Sequence, residues 1–317
     1  METVGIIGAG QIGSALAKII AETGRYHVIA SRRNLSKIKD LEGLGIELTR
    51  DNKIVASKSD IIIVSVKPHK AFEVLKEISE EVRNKIVISV AAAIPLDRLI
   101  EAAPEAKIVR AMPNINILVK ASFTAYSVGP NLKEDDLKKV QELFRLMGEY
   151  IEVEEELMDA ITALSGSGPA YVSTLIEAMA YAGLKVGLPR ELAYYSAAYT
   201  VLGSAKLYLD TRLHPSVIKE MVLTPAGVYA SVMLGSGKQY TWISIMRDLP
   251  INLSSATYGI LEKQMVDKVL LESNIERNSL TIQIEYKAKL CEIMKVEKID
   301  LKPVFYNTLL NSSRLRP

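Results

Sequence analysis

The sequence predicts an α/β fold, a doubly wound sheet at the amino end followed by an all-helical second half. Three observations predict it. Gly8-Ala9-Gly10-Gln11-Ile12-Gly13 lies between the apolar run Val4-Gly5-Ile6-Ile7 and the helical pattern Ser14-Ala15-Leu16-Ala17-Lys18-Ile19-Ile20. Continuous apolar runs return at residues 61–66, 86–90 and 107–111, with helical segments at 70–83 and 96–103 between them. Residues 154–222 then carry almost no strand signal. A run apolar at every position fits a parallel strand covered on both faces. Strand–helix alternation of this kind closes through right-handed crossovers.

The opening segment reads as strand, glycine turn and helix start, the arrangement of a Rossmann-type dinucleotide site. Gly8 permits the turn, Gly10 admits the pyrophosphate close to the backbone, and Gly13 lets the helix pack on the strand. Unpaired N–H groups at the helix start face the negative charge, so Gln11 and Ile12 belong to the same segment. A second strand over residues 27–30 runs into Ser31-Arg32-Arg33-Asn34. A site for NAD places Asp or Glu there to accept from the ribose 2′-hydroxyl. No carboxylate is present, and Arg matches phosphate in bidentate geometry. NADP is the expected cofactor, with NAD as second choice. Arg32 is the first candidate for the 2′-phosphate, with Ser31 and Arg33 behind it. The competing reading is a solvated basic turn, with the ribose held by Ser31 and the backbone. Lys37 reads as a surface residue.

Ligands of doubly wound sheets bind beyond the carboxyl ends of the strands. Val66-Lys67-Pro68, Ala91-Ala92 and Met112-Pro113-Asn114 follow three such ends. Val66, Lys67, Pro68, Ala91 and Met112 are expected to line the cofactor. Pro68 holds residue 67 extended, which aims the main chain of Lys67 along the nicotinamide ribose. The alternative is a merely solvated lysine. Asn114 offers one carbonyl and one NH₂. It is the expected polar contact near the reacting carbon, against a turn asparagine that closes the strand. Residues 123–127 and 150–153 read as later strands toward an edge, with a helix at 134–147 between them.

Composition bounds the partners. A chain of 317 residues suits two domains. It is 49% hydrophobic and 24% charged with a net charge of +2, and its basic residues are scattered. That pattern argues for neither nucleic acid nor a membrane surface. One cysteine, Cys291, excludes an intrachain disulfide framework and a cysteine metal cluster. His27, His69 and His214 form no metal motif, so no metal is expected. No leader segment is recognised and no apolar run reaches membrane-helix length. The cytoplasm is the expected compartment.

The second half reads as helices. One is expected from Glu154-Glu155-Glu156 to about residue 164, broken by Ser165-Gly166-Ser167-Gly168. Pro169 suits the first turn of the next, which carries Leu175, Met179 and Leu184. Pro189-Arg190-Glu191 starts a third, and His214-Pro215 a short one ending near residue 223. Helices this apolar are expected to pack on a second copy as a homodimer. The expected divisions are 1–153 for the dinucleotide, 154–270 for substrate and dimerisation, and 271–317 as a helical extension.

The glycine fingerprint, Val66-Lys67-Pro68, Arg110-Ala111-Met112-Pro113-Asn114, Leu164-Ser165-Gly166-Ser167-Gly168-Pro169-Ala170-Tyr171 and Thr224-Pro225-Ala226-Gly227 occur in that order. Over roughly residues 3–228 the chain resembles pyrroline-5-carboxylate reductase. The resemblance implies reduction of 1-pyrroline-5-carboxylate to proline with a reduced nicotinamide cofactor. It implies a helical second domain that dimerises and completes the active site, with dimers joined into larger rings in some members. It also implies that the loop after residue 223 meets the substrate carboxylate. Here the chain departs from the family pattern: Val228 and Tyr229 stand where the family has two threonines. Thr224, Tyr229 and local N–H groups are left to hold the carboxylate. Gly235-Ser236-Gly237-Lys238 lacks the spacing of a phosphate loop and reads as a turn. Trp242 reads as core or interface, and residues 280–299 as helix.

A cyclic imine suits a chain with no obvious acid–base pair. Its protonated C=N is already electrophilic, so hydride transfer depends on positioning and exclusion of water. A carbonyl acid would call for a general acid. Lys185 is the one easy candidate and reads as surface, while His214 reads as a cap. Two other readings stay open: a different NADP-dependent imine or carbonyl-acid reductase, and a nucleotide-binding protein without catalysis.

Overall fold

The apolar runs of the first half become strands of one sheet. The computed structural model describes residues 1–222. The expectations for Thr224, Tyr229, residues 235–238, Trp242, Cys291 and the extension 271–317 lie outside the described residues. The strands are β1 (Glu2–Ile7), β2 (Tyr26–Ser31), β3 (Glu47–Thr49), β4 (Ile61–Val64), β5 (Ile86–Ser89), β6 (Lys107–Met112), β7 (Ser122–Val128) and β8 (Gly148–Glu152). They lie in the order β3-β2-β1-β4-β5-β6-β7-β8. Neighbours are parallel except β6 and β7, which are antiparallel. Ile7 pairs with both Ser31 and Val64, so β2, β1 and β4 end level. The chain works outward from β1 in one direction and from β4 in the other. Ligands of such sheets bind in the crevice at that reversal.

Side-chain alternation divides the sheet between two cores. Ile6, Ile63, Ile88 and Val109 pack with α1 (Gln11–Glu22) and α5 (Glu134–Met147) through Leu16, Ile20, Leu143 and Phe144. Ile7, Ile62, Val64 and Ile108 face α2 (Asn52–Lys58), α3 (Pro68–Glu77) and α4 (Leu96–Ala102) through Val55, Leu75 and Leu99.

Several boundaries differ from the sequence expectation. β4 and β5 end at Val64 and Ser89 rather than at residues 66 and 90. α3 starts at Pro68, not residue 70, because proline lacks only an N–H that the first turn leaves unpaired anyway. It ends at Glu77 rather than 83. β3 and α2 were not expected at all; each is too short for a periodic signal. β7 is not an edge strand, since β8 pairs with it in parallel.

The expected helix over 154–164 is three pieces: a 3-10 turn at Glu155–Leu157, the single turn α6 (Met158–Ile161) and a π-helical turn at Thr162–Gly166. The expected break is a single residue: Ser167, a bend that keeps right-handed backbone angles, separates the π turn from α7 (Gly168–Lys185). Two hydroxyls bond back along this segment. Thr162 Oγ1 donates to Met158 O and Ser165 Oγ to Ile161 O, a back-bonding that loosens a helix. Ser167 N–H then reaches Thr162 O at 3.1 Å, five residues back.

The first compact unit spans Met1–Ser173 and the second begins at Thr174. In the second, the end of α7 packs on α8 (Arg190–Thr211) through Ala180, Ala193 and Ala197. Leu192, Tyr195, Tyr199 and Leu202 follow one another on one face of α8 and are exposed in the single chain. α9 (Pro215–Met221) is short. Among the described residues no helix is long and apolar enough to cross a membrane.

Candidate functional site

The glycine turn after β1 is set by contacts that leave no room for side chains at its two ends. Gly8 has φ +92°, and a Cβ there would meet Val66 Cγ1 at 2.6 Å. A Cβ on Gly13 would lie 2.5 Å from Gly8 O. At Gly10 the nearest atom to such a Cβ is Gly8 O at 3.9 Å, so this position is open. Gly10 caps α1 without a side-chain bond, and no acidic residue lies in the first turn. Gln11, Ile12 and Gly13 form that turn, whose N–H groups lack partners within the helix. This is a surface for an anion.

The end of β2 closes on this turn. Ser31 O accepts from Gly8 N at 3.1 Å and from Ala9 N at 2.9 Å. Arg32 is half-buried and its Nη1 donates to Ala9 O at 2.7 Å. Arg33 is exposed and has no such contact. Ser31 is 1% exposed, and its hydroxyl donates to Asn52 Oδ1 at 2.8 Å. Asn52, the first residue of α2, was missed by sequence reasoning. Its Nδ2 donates to Glu77 Oε2 at 3.4 Å. Asp51 ahead of the apolar pair Ile54-Val55 marks a helix start and is the signal that would have found it.

Val66 packs on Gly8, and Ser65 Oγ lies near Gly13. Lys67 takes the extended conformation its proline requires, φ −61° and ψ 145°, and caps α3 with Pro68 at the first position. Its side chain is exposed. Ala91 is buried just past β5. Met112 is half-buried at the end of β6, and its Cε lies against Gly166. Ser31, Arg32 and Val66 therefore each contact the turn at Gly8-Ala9, while Lys67, Pro68, Ala91 and Met112 stand at the same edge of the sheet.

Asn114 is 7% exposed. Its Oδ1 accepts from Asn116 N at 3.1 Å, and its Nδ2 donates to Ser165 O at 3.0 Å. Its own N–H donates to Ser122 Oγ at 3.0 Å. These bonds close the turn after β6 and tie it to the π turn. One amide N–H and one lone pair remain for a ligand.

Sequence reasoning gave Arg110 no role of its own. The side chain is 3% exposed on β6. Nη1 donates to Glu155 Oε1, and Nη2 to Asp159 Oδ1 at 2.8 Å. Glu155 Oε1 also accepts from Leu96 N at 2.9 Å, at the first turn of α4. His214, by contrast, caps α9 by accepting from Ser216 N at 3.3 Å, and Lys185 is exposed at the end of α7.

Two family models match the chain. Residues 155–234 match pyrroline-5-carboxylate reductase dimerisation, and residues 3–93 match NADP oxidoreductase coenzyme F420-dependent. The chain is 40% identical over 236 residues to a pyrroline-5-carboxylate reductase of Methanosarcina acetivorans, covering 71% of this chain and 86% of that one. It is 35% identical over 300 residues to pyrroline-5-carboxylate reductase 2 of Homo sapiens, covering 86% and 92%. A crystal structure of Plasmodium falciparum pyrroline carboxylate reductase with NADP bound matches with a TM-score of 0.66 at 31% identity, covering 74% and 89%. A Coxiella burnetii pyrroline-5-carboxylate reductase matches with a TM-score of 0.67 at 29% identity, covering 74% and 91%. The fold, the motif order and this similarity agree: the chain belongs to the pyrroline-5-carboxylate reductase family.

Proposed function

We propose that this protein reduces 1-pyrroline-5-carboxylate to proline, with NADPH preferred over NADH. The observation that carries the reading is 35% identity over 300 residues to pyrroline-5-carboxylate reductase 2 of Homo sapiens, spanning 92% of its length. The nucleotide cradle supports it independently. NADPH fits the uncapped first turn of α1, the open space at Gly10 and the guanidinium of Arg32 beside Ala9. When bound there, it supplies the hydride.

The chain's own residues bind and orient. We assign the pyrophosphate to Gly8, Gly10, Gln11, Ile12 and Gly13, and the 2′-phosphate to Arg32, with Asn52 beside Ser31. Arg33 is solvent-exposed and is left a weaker, screened role. Val66, Lys67, Pro68, Ala91 and Met112 line the nicotinamide side. Asn114 holds the turn at the reacting carbon and offers its remaining N–H. We assign the substrate carboxylate to residues 224–229, with Thr224 and Tyr229 as its side-chain donors. A protonated imine needs no further proton at the moment of hydride transfer, so positioning and exclusion of water carry the step. We take the enzyme to be at least a homodimer. The dimerisation match and the exposed apolar stripe of α8 support that. The cytoplasm suits a chain with a single cysteine.

Cofactor oxidation with pyrroline-5-carboxylate and a panel of carbonyl acids tests the reading. Turnover of the imine acid with NADPH is expected. Selective turnover of a carbonyl acid would replace it with the second reading, and tight NADPH binding without turnover would favour a nucleotide-binding protein without catalysis, which Val228 and Tyr229 support by departing from the family loop.

A further inference from the structure

We propose that Arg110 is a positioning residue for the reduction, holding the loop after β5, the end of β6 and the π turn in one fixed arrangement; this rests on the proposed reduction of pyrroline-5-carboxylate. Alternation along β6 sets the geometry. Val109 and Ala111 enter the core with α1 and α5, and Ile108 enters the opposite one. Arg110 and Met112 therefore share the face of Ile108. Both meet the segment that follows β8. Arg110 holds its start at Glu155 and Asp159, and Met112 touches Gly166 at its end. Asn114, two residues on, is bonded to Ser165 O. One strand thus grips one helical segment at both ends, and the π turn lies between the grips.

Glu155 extends the grip. The carboxylate oxygen that meets Arg110 also accepts Leu96 N at 2.9 Å, which fixes the far end of the loop that starts at Ala91. The other oxygen, Glu155 Oε2, is buried without a partner among the described residues. A carboxylate so placed depends on the guanidinium for its compensation. A planar fork meets two carboxylates at set angles, whereas an ammonium does not. This side chain thereby ties the start of α4 to the segment after β8 through Glu155 and Asp159, and the strand that carries it meets the π turn through Met112 and Asn114. The glycine turn and Arg32 form no part of this network.

The test compares full-length Arg110→Lys and Asp159→Ala with the unmodified protein. Four quantities are read: single-turnover hydride transfer at saturating NADPH, KM for pyrroline-5-carboxylate, NADPH Kd with its stoichiometry by fluorescence titration, and Tm. Arg110→Lys is expected to slow hydride transfer by about tenfold or more, with NADPH Kd within about twofold and stoichiometry unchanged. Asp159 is 81% exposed and Arg110 keeps Glu155 as a partner, so Asp159→Ala is expected to keep the fold, which Tm checks. It is expected to reduce kcat/KM by about threefold or more at unchanged NADPH Kd. A rate loss that only tracks lost NADPH stoichiometry or Tm makes Arg110 purely structural and overturns the proposal. If Arg110→Lys does not fold, Asp159→Ala decides, and unchanged kinetics there overturn it. An unmodified protein that leaves the imine unreduced overturns the reduction reading and this proposal together. An active protein with unaffected variants overturns this proposal alone.

Discussion

Arg32 Nη1 donates to the carbonyl oxygen of Ala9 at 2.7 Å, so the guanidinium that follows β2 lies on the glycine turn that follows β1. In the proposed NADPH site this charge meets the 2′-phosphate. Arg32→Ala is expected to raise KM for NADPH by roughly 10–100-fold, the worth of one or two hydrogen bonds to a charged group. NADH, which lacks the 2′-phosphate, is expected to change little. Steady-state kinetics with both cofactors checks this, and equal losses would remove the 2′-phosphate assignment.

Gly10 and Gly13 separate cofactor approach from packing. A Cβ on Gly13 meets backbone at 2.5 Å, while one on Gly10 finds open space. Gly13→Ala is expected to cost about 1–3 kcal/mol of stability through overpacking and to weaken NADPH. Gly10→Ala is expected to keep Tm and still weaken NADPH, because the methyl occupies the ligand's side of the turn. Thermal melting and fluorescence titration of both variants check this. A drop in Tm for Gly10→Ala would show that the turn is closed rather than open.

The sheet was legible because its strands announce themselves. Ile61-Ile62-Ile63-Val64 is apolar on both faces, and a solvent-facing strand would not be. α5 fell at residues 134–147 as expected, because its acidic first turn and apolar spacing agree. The turn at Gly8 was legible for the same local reason. What escaped was long-range or short. β3 has three residues. Asn52 is tied to Ser31 only by the strand order, 21 positions away in sequence. Arg110 finds Glu155 and Asp159 45 and 49 residues later. Ser165-Gly166-Ser167-Gly168 reads locally as a break, and Ser167 interrupts the helix there, but the residues before it form a π turn tied to Asn114 Nδ2, 51 residues away in sequence.

Acid stability follows from Asp136. Burial pushes its carboxyl up, but donation from Lys107 Nζ at 2.8 Å and Lys133 N–H at 3.1 Å outweighs it. The folded value lies below the ordinary 3.8. The ionised form is therefore favoured in the fold. Its contribution is present above the unfolded value and is lost as pH falls through the folded one. Asp136→Asn is expected to flatten the acid limb of Tm against pH and to lower Tm at neutral pH. An unchanged acid limb would mean that Asp136 does not govern it.

The stripe on α8 yields the last prediction. Leu192, Tyr195, Tyr199 and Leu202 succeed one another by three, four and three residues and so lie on one helix face. All four are exposed in the single chain, and the rings of Tyr195 and Tyr199 lean together at 4.7 Å. Aromatic and aliphatic side chains in a row of this length are costly to leave in water, and burying each recovers about 1.5–3 kcal/mol. A second copy offers the same stripe, which suits a two-fold interface. The full chain is expected to sediment as a dimer or larger at micromolar concentration. Leu202→Glu is expected to shift it toward monomer with unchanged helical circular dichroism, because the carboxylate must lose its water to enter an apolar contact. Leu202 contributes nothing to the core of α7 and α8, so the variant keeps its helices. A monomeric parent with full activity, or a variant that stays associated, would remove the stripe from the interface.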